Sequence, residues 1–496
     1  MYNSRHRNNK QKRDVRNNMK KIKNENTKNV FMVISSNLLT ILIALFTGFV
    51  IPKQLSVADY AYYHVYMLYI AYAGFLHFGF VNGIYLKYGK YNEDELPIDK
   101  FRKFSKIMFA MQGIVVAVLA VILLLTFRKM DINNVIAYAF IIINIPLINI
   151  KWFYSSINQF TKRFVIDSYV TYLQNILTLL MVICIVVTHW YYFEVLLIFT
   201  TAINAVCMVI VMWQNKNIVW GKSILNVKEE CVGLIKSGFF LMLSEFVGII
   251  ILGIDSIFVQ NLFSIEEFAM YSFAVSIITV IYTMISTVSN LIYPYLVRVD
   301  ENRYAEYYCL MSDVLSVISI FSLLAFYVAK FIIDIWLDKY TESIAITAIL
   351  FGTVIFRSLI MLVCGNYFKV LKMIKEYTQN NVFAICISFL LDLLAYLFFH
   401  DYIYIAIASL ISFIIWYVVT DWIFIRRLNI PLNGCVRRYV CIVFCLIAFY
   451  ALLKVETIVS FFAYAVLALL ICVICFKPQF VKVIEILQGG IKKARD

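Results

Sequence analysis

Seven residues lie in or at the ends of long apolar stretches and carry groups that hydrocarbon does not readily accommodate: Asn37, Asn82, Glu245, Asp255, Asn290, Arg357 and Asp392. Charge inside a membrane helix is expensive, so such a group is expected to be paired or to face a cavity. The chemistry these types support is binding. A guanidinium is a planar fork that holds anionic oxygens two at a time. A carboxyl withdrawn from water takes up a proton more readily, and it can also bind a sodium ion. Side-chain amides line a mouth, cap a helix end or bridge two helices. Nothing points to bond-breaking, because neither a GxxxxGK[ST] phosphate loop nor an HExxH zinc pair occurs. The 11 cysteines sit mostly inside apolar runs, and "CVIC" at 472–475 has no histidine or second pair nearby. They read as small apolar filler, so no metal site and no cofactor is expected.

The elements that must position these residues are membrane helices. Of the 496 residues 62% are hydrophobic and 15% charged, and the mean hydropathy is +0.82. A soluble surface needs far more charge than that. Apolar runs long enough to cross about 30 Å of hydrocarbon are predicted at 30–51, 62–86, 104–126, 134–150, 165–187, 191–213, 238–258, 268–295, 308–330, 344–366, 377–399, 403–424, 438–453 and 458–476. The expected fold class is therefore all-α and polytopic, with about 14 transmembrane helices. The first 29 residues, "MYNSRHRNNKQKRDVRNNMKKIKNENTKN", carry ten Lys or Arg. They read as a basic cytoplasmic tail that orients the first helix and attracts anionic lipid, with no nucleic-acid role. With that tail inside, 37 of the 44 Lys and Arg fall in cytoplasmic tails and loops or at the span ends beside them, six on the outer side, and Arg357 is left over inside the tenth span. Both ends are thus expected in the cytoplasm.

A repeat organises the helices. Shifted by 208 residues, "LSVADYAYY" (55–63) lies on "FSIEEFAMY" (263–271), and "NGIY" (82–85) lies on "NLIY" (290–293). Six helices separate the copies, so both halves share one orientation. Parallel repeats about an axis along the membrane normal occur among secondary transporters. The expected organisation is a tail (1–29), an N-lobe of helices 1–6 (30–216), a C-lobe of helices 7–12 (217–426), two extra helices (427–476) and a cytoplasmic tail (477–496). All outer loops are short, which argues against an enzyme of glycan chemistry and for a carrier.

The phrases "LSVADYAYY" and "FSIEEFAMY", the Asp of "GIDSIFVQNLF" late in the seventh helix and the Pro of "LIYPYLVR" closing the eighth resemble a known pattern. It is that of Wzx-type polysaccharide-repeat flippases, in the multidrug/oligosaccharidyl-lipid/polysaccharide exporter superfamily. The resemblance covers roughly residues 30–424 in architecture. It implies translocation of undecaprenyl-diphosphate-linked oligosaccharides across the bacterial cytoplasmic membrane by alternating access. It also implies membrane lipids and a glycan polymerase as partners.

Within that frame Arg357, twelve residues before Lys369 and so roughly 18 Å deep, is expected to bind the substrate diphosphate. The alternative is an ion pair with Glu245 or Asp392, or hydrogen bonds to helix carbonyls. Glu245, Asp255 and Asp392 are the expected ion-coupling residues for H+ or Na+. Glu245 also reads as a structural partner of Arg357, and Asp255 also reads as a hydrated helix end. Asn37 matches Glu245 under the 208-residue shift, and Asn82 matches Asn290, so these asparagines are expected to join Arg357 at the substrate. A hydrogen-bonded interior role is expected for His77. The aromatics of "YAYYHVYMLYIAY" (60–72) suit stacking on sugars or an interfacial belt. The competing functions are an ion-coupled multidrug or metabolite antiporter and a lipid II flippase. The latter pattern places several basic residues in the first two helices, where this chain has none between Lys53 and Lys87.

Overall fold

The structure, a computed structural model, describes Met32 and residues 35–223, 225–297 and 299–495, with some helical side chains left out. The chain enters through α1 (Ser35–Gln54). The next helices are α2 (Val57–Ile70), α3 (Phe80–Tyr88), α4 (Ile98–Thr126), α5 (Ile132–Phe160), α6 (Phe164–Thr188), α7 (Phe193–Gln214) and the short α8 (Lys216–Val219). Then follow α9 (Lys228–Leu262), α10 (Ile265–Leu296), α11 (Tyr304–Ser322), α12 (Leu324–Trp336), α13 (Ser343–Ser358) and α14 (Gly365–Val370). The chain closes with α15 (Ile374–Phe399), α16 (Tyr402–Arg427), α17 (Leu432–Leu452) and α18 (Thr457–Arg495). Among the described residues twelve helices are long and apolar enough to cross a membrane, or thirteen with the bent pair Val57–His77 and Phe80–Tyr88 as one span. α9, 35 residues long, supplies a helix at the seventh expected span. The protein is an all-helical, multi-pass membrane protein.

The repeated phrase is a pair of helix starts. Ser264 stands just before α10: its backbone N–H donates to Glu267 Oε2 at 2.8 Å, while its Oγ accepts from the Glu267 N–H at 3.2 Å. This reciprocal capping box satisfies two donors that a helix end leaves open. Before α2, Ser56 Oγ accepts from the Asp59 N–H at 3.0 Å. Asp59 is one methylene shorter than Glu267, and its carboxylate meets the Ser56 hydroxyl. Backbone angles repeat as well. Positive-φ turns occur at Lys162 and Lys372, and again at His189 and His400. These offsets of 210 and 211 residues keep the two halves in nearly the same register.

Two compact units emerge. One comprises Met1–Thr47 and Tyr69–Leu243, the other Gly48–Leu68 and Ser244–Asp496. In the first, amides tie helices directly to one another: Asn204 Nδ2 donates to Asn144 Oδ1 at 2.8 Å, and Asn144 Nδ2 donates to Thr201 Oγ1 at 2.7 Å. In the second, the helical run Ser343–Val370 is enclosed over almost its whole length. Its middle, Leu359–Cys364, widens into a π-turn. There the Met361 carbonyl accepts from Ser289 Oγ at 2.9 Å, and Asn366 Nδ2 reaches Ser289 Oγ at 3.1 Å. Such turns recur at functional sites.

Candidate functional site

In the second unit, sequence-distant polar groups gather on α9, α10, α13, α15 and α16. Asp255 is buried on α9. Its Oδ2 accepts from Tyr271 Oη at 2.6 Å and from Ser409 Oγ at 3.3 Å, and its Oδ1 accepts from the Ser256 N–H at 2.9 Å. Tyr271 is the last residue of the repeated phrase, so the α10 helix start that Glu267 caps also delivers this hydroxyl. Asp392 on α15 is 0% exposed, and neither of its carboxyl oxygens has a hydrogen-bond partner. It lies within electrostatic reach of Asp255. A fully buried carboxyl with no donor of its own is costly, and a bound cation or proton relieves that cost. Two carboxylates flanked by a hydroxyl are hard oxygen donors of the kind an alkali cation takes. Among the described residues no group of three or more His, Cys, Asp or Glu is placed to hold a metal ion.

Arg357 is the penultimate residue of α13, one residue before the helix gives way to the π-turn. It is 5% exposed, and its guanidinium carbon stands 3.6 Å from the centroid of the Tyr282 ring. Its Nε and Nη1 have no hydrogen-bond partner, and Asp255 is among the charges it feels. Cation–π contact with a ring holds a desolvated Arg in place while leaving its donors unspent. Tyr282 is fixed in turn by Thr353 Oγ1 at 2.5 Å.

The other expected residues scatter. Asn37 lies exposed on α1 in the first unit. There Asn175 Nδ2 donates to Thr40 Oγ1 at 2.8 Å, and Ser35 Oγ meets Tyr172 Oη at 2.5 Å, holding α1 to α6. Asn82 is half-buried on α3. The side chains of Glu245 and Asn290 lie outside the described residues. His77 accepts the Gly79 N–H at Nδ1, 3.1 Å away, in a break of the second span. Between Val57–His77 and Phe80–Tyr88 that span bends by 54°. The carbonyls freed by the break are taken by neighbours: Asn149 Nδ2 donates to Ala73 O and Gln112 Nε2 to Leu76 O, each at 2.9 Å.

A second buried polar network went unnoticed in the sequence. Arg438 on α17, 1% exposed, pairs with Asp421 on α16 at 2.7 Å and with Asp313 on α11 at 3.5 Å. Arg437 reaches Asp313 at 2.8 Å. Tyr308 Oη donates to Asp421 Oδ1 and Tyr439 Oη to Asp421 Oδ2, each at 2.6 Å. Gln479 Nε2 on α18 adds a bond to Asp313 Oδ2 at 3.1 Å. With two carboxylates and two guanidiniums the network is neutral and ties α17 and α18 to α11 and α16. The adjacent pair Arg437–Arg438 and the apolar flanks of Asp313 and Asp421 were its signal.

No protein-family model and no curated relative matches the chain. Solved structures do. A lipid II flippase, MurJ, in an inward closed conformation aligns over 92% of this chain and all of its own, with a TM-score of 0.69 and 14% identity. An inward-facing multidrug resistance transporter of the MATE family aligns over 79% of this chain and 95% of its own, with a TM-score of 0.53 and 13% identity. The chain shares its fold with these two transporters, the second of which is described as a member of the MOP superfamily.

Proposed function

We propose that the protein is a flippase for undecaprenyl-diphosphate-linked oligosaccharide repeat units, carrying them across the cytoplasmic membrane by alternating access for cell-surface polysaccharide assembly. Both termini lie in the cytoplasm in this reading, and a glycan polymerase takes the product. The observation that carries the reading is the fold match to a lipid flippase over 92% of the chain. An apolar cavity of about 390 Å³ in the first unit, lined by Tyr69, Phe75, Leu119, Leu123, Tyr138 and Ile142 among others, suits a lipid chain better than a water-soluble cargo.

Asn37, Asn82 and Asn290 supply headgroup contacts, and Arg357 supplies the positive charge. Because Arg357 is nearly enclosed here, diphosphate reaches it only in a conformation that draws α10 away from α13. Asp255 and Asp392 hold the coupling cation, Na+ or H+, with Glu245 on the same helix as Asp255. A second reading, an ion-coupled multidrug or metabolite antiporter, is favoured by this pair of buried carboxylates and by the MATE neighbour.

The test is movement of a fluorescent undecaprenyl-diphosphate oligosaccharide in proteoliposomes, read with a membrane-impermeant quencher. Protein-dependent movement that falls at least tenfold in Arg357→Ala, with folding intact, supports the flippase and its anion contact. No movement, together with cation-driven efflux of organic cations, turns the reading to the antiporter.

A further inference from the structure

The first unit contains a closure that none of the expected site residues explains. α9 begins inside this unit and continues past Leu243 into the other. Its start lies against α3 with backbone touching backbone. A Cβ built on Gly83 would run into the Leu234 carbonyl. One built on Gly238 would strike the Gly79 carbonyl and the Gly83 nitrogen, and one on Gly79 would strike Phe239 N. "NGIY" has its glycine, Gly83, where the second copy "NLIY" has Leu291, so the close approach is a feature of the first copy only.

The rim of this crossing is ionic. Glu230, in the first turn of α9, accepts from Lys87 Nζ at 2.5 Å and Tyr88 Oη at 2.6 Å through Oε1, and from Lys100 Nζ at 3.2 Å through Oε2. The lysines are 52% and 41% exposed. Exposed pairs are individually weak, about 0–1 kcal/mol. Small residues let membrane helices meet backbone to backbone, with no side chains locked between them. Here the facing surfaces are smooth backbone, held at the edge by solvated charges, which is a contact suited to repeated release. α3 also has its own hinge: Phe78 (φ 50°) and Gly79 (φ 78°) both sit in the left-handed region just before it.

We infer that α3 and the start of α9 form a latch that must open in each transport cycle, with Gly79, Gly83 and Gly238 as its faces and Glu230–Lys87–Lys100–Tyr88 as its clasp. The inference rests on the alternating-access reading above.

It is tested by replacing Lys87 and Glu230 with cysteine, oxidising the full-length protein in liposomes, and mapping the 87–230 disulfide by mass spectrometry. Two readouts follow. Hydrogen exchange in Phe80–Tyr88 and Lys228–Leu243 is expected to slow at least tenfold on linking and to recover on reduction. Glycolipid movement is expected to fall at least tenfold and recover likewise. Unchanged exchange, or full transport by the linked protein, overturns the latch. Slowed exchange in a protein that moves no glycolipid even when reduced keeps the latch and rejects the cargo. Should the cysteine pair fail to fold, Gly238→Leu replaces it. Its side chain cannot fit between the two backbones, and it is expected to speed exchange in Phe80–Tyr88 at least tenfold; exchange equal to wild type overturns the latch.

Discussion

Asn149 and Arg357 are the same position in the two halves, 208 residues apart, and they show how a repeat diverges at one residue. So are Gly74 and Tyr282. In the first half Asn149 donates to the Ala73 carbonyl exposed by the broken second span. In the second half α10 is unbroken, no carbonyl needs a donor there, and Arg357 lies on the Tyr282 ring. Arg357, Asp255 and Asp392 were legible in the sequence because each interrupts a long apolar run. Arg438, Asp421 and Asp313 were not. The thirteenth span was expected to begin at residue 438, whereas α17 begins at Leu432, so both arginines stood at the edge of the expected span, where charge needs no buried partner. At this scale the proposed cation site makes a direct prediction. Sodium at about 100 times its dissociation constant stabilises a protein that binds it only when folded by about 2.7 kcal/mol. The melting temperature of the wild type in detergent is expected to rise accordingly with sodium, and that of Asp392→Asn to stay flat.

Among elements, helix starts and helix ties carry measurable free energy. The phrase that first suggested a repeat owes its recurrence to capping, since Ser followed three residues later by Asp or Glu closes a helix N-terminus. Glu267→Ala is expected to cost about 1 kcal/mol and to loosen Tyr271 from Asp255, both seen in chemical denaturation and hydrogen exchange of α10. The break in the second span was invisible to hydropathy. The apolar pattern runs through it, and the bend is fixed instead by Gln112 and Asn149 on α4 and α5. Removing Arg438 takes from the buried Asp421 carboxylate its guanidinium partner, so Arg438→Ala is expected to destabilise by about 3–5 kcal/mol. In limited proteolysis α17 and α18 should be cut first. Lysine in its place restores charge without the two-pronged reach and recovers only part of that loss.

For the whole molecule, the all-helical class and the long apolar spans, twelve or thirteen among the described residues, were legible because bilayer thickness imposes length and apolarity on every crossing. The packing of helices within each unit was not. It depends on where helices cross, as at Gly83 and Gly238, and no hydropathy profile reports a missing side chain. Solvent pH reaches the molecule at the clasp. Burial pushes the Glu230 carboxyl up, but hydrogen bonds from Lys87, Tyr88 and Lys100 and the Lys100 charge outweigh it and hold the group at about 2. A carboxylate depressed in this way stabilises the closed contact fully above its ordinary value near 4.5. That contribution is lost as pH falls from there toward 2. The difference in melting temperature between wild type and Glu230→Gln is therefore expected to be constant from pH 8 to 5 and to shrink below about 4.5.

Glu230, Gly238 and Asp255 all belong to α9, one uninterrupted helix. If that helix moves as one piece in the proposed cycle, it is a lever, and a load on one end is felt at the other. Linkage then works in both directions. If releasing the clasp changes the cation affinity at Asp255 by some factor, filling that site must change the clasp's opening equilibrium by the same factor. Sodium affinity measured with the 87–230 disulfide closed and then reduced would give the strength of that lever as a single ratio.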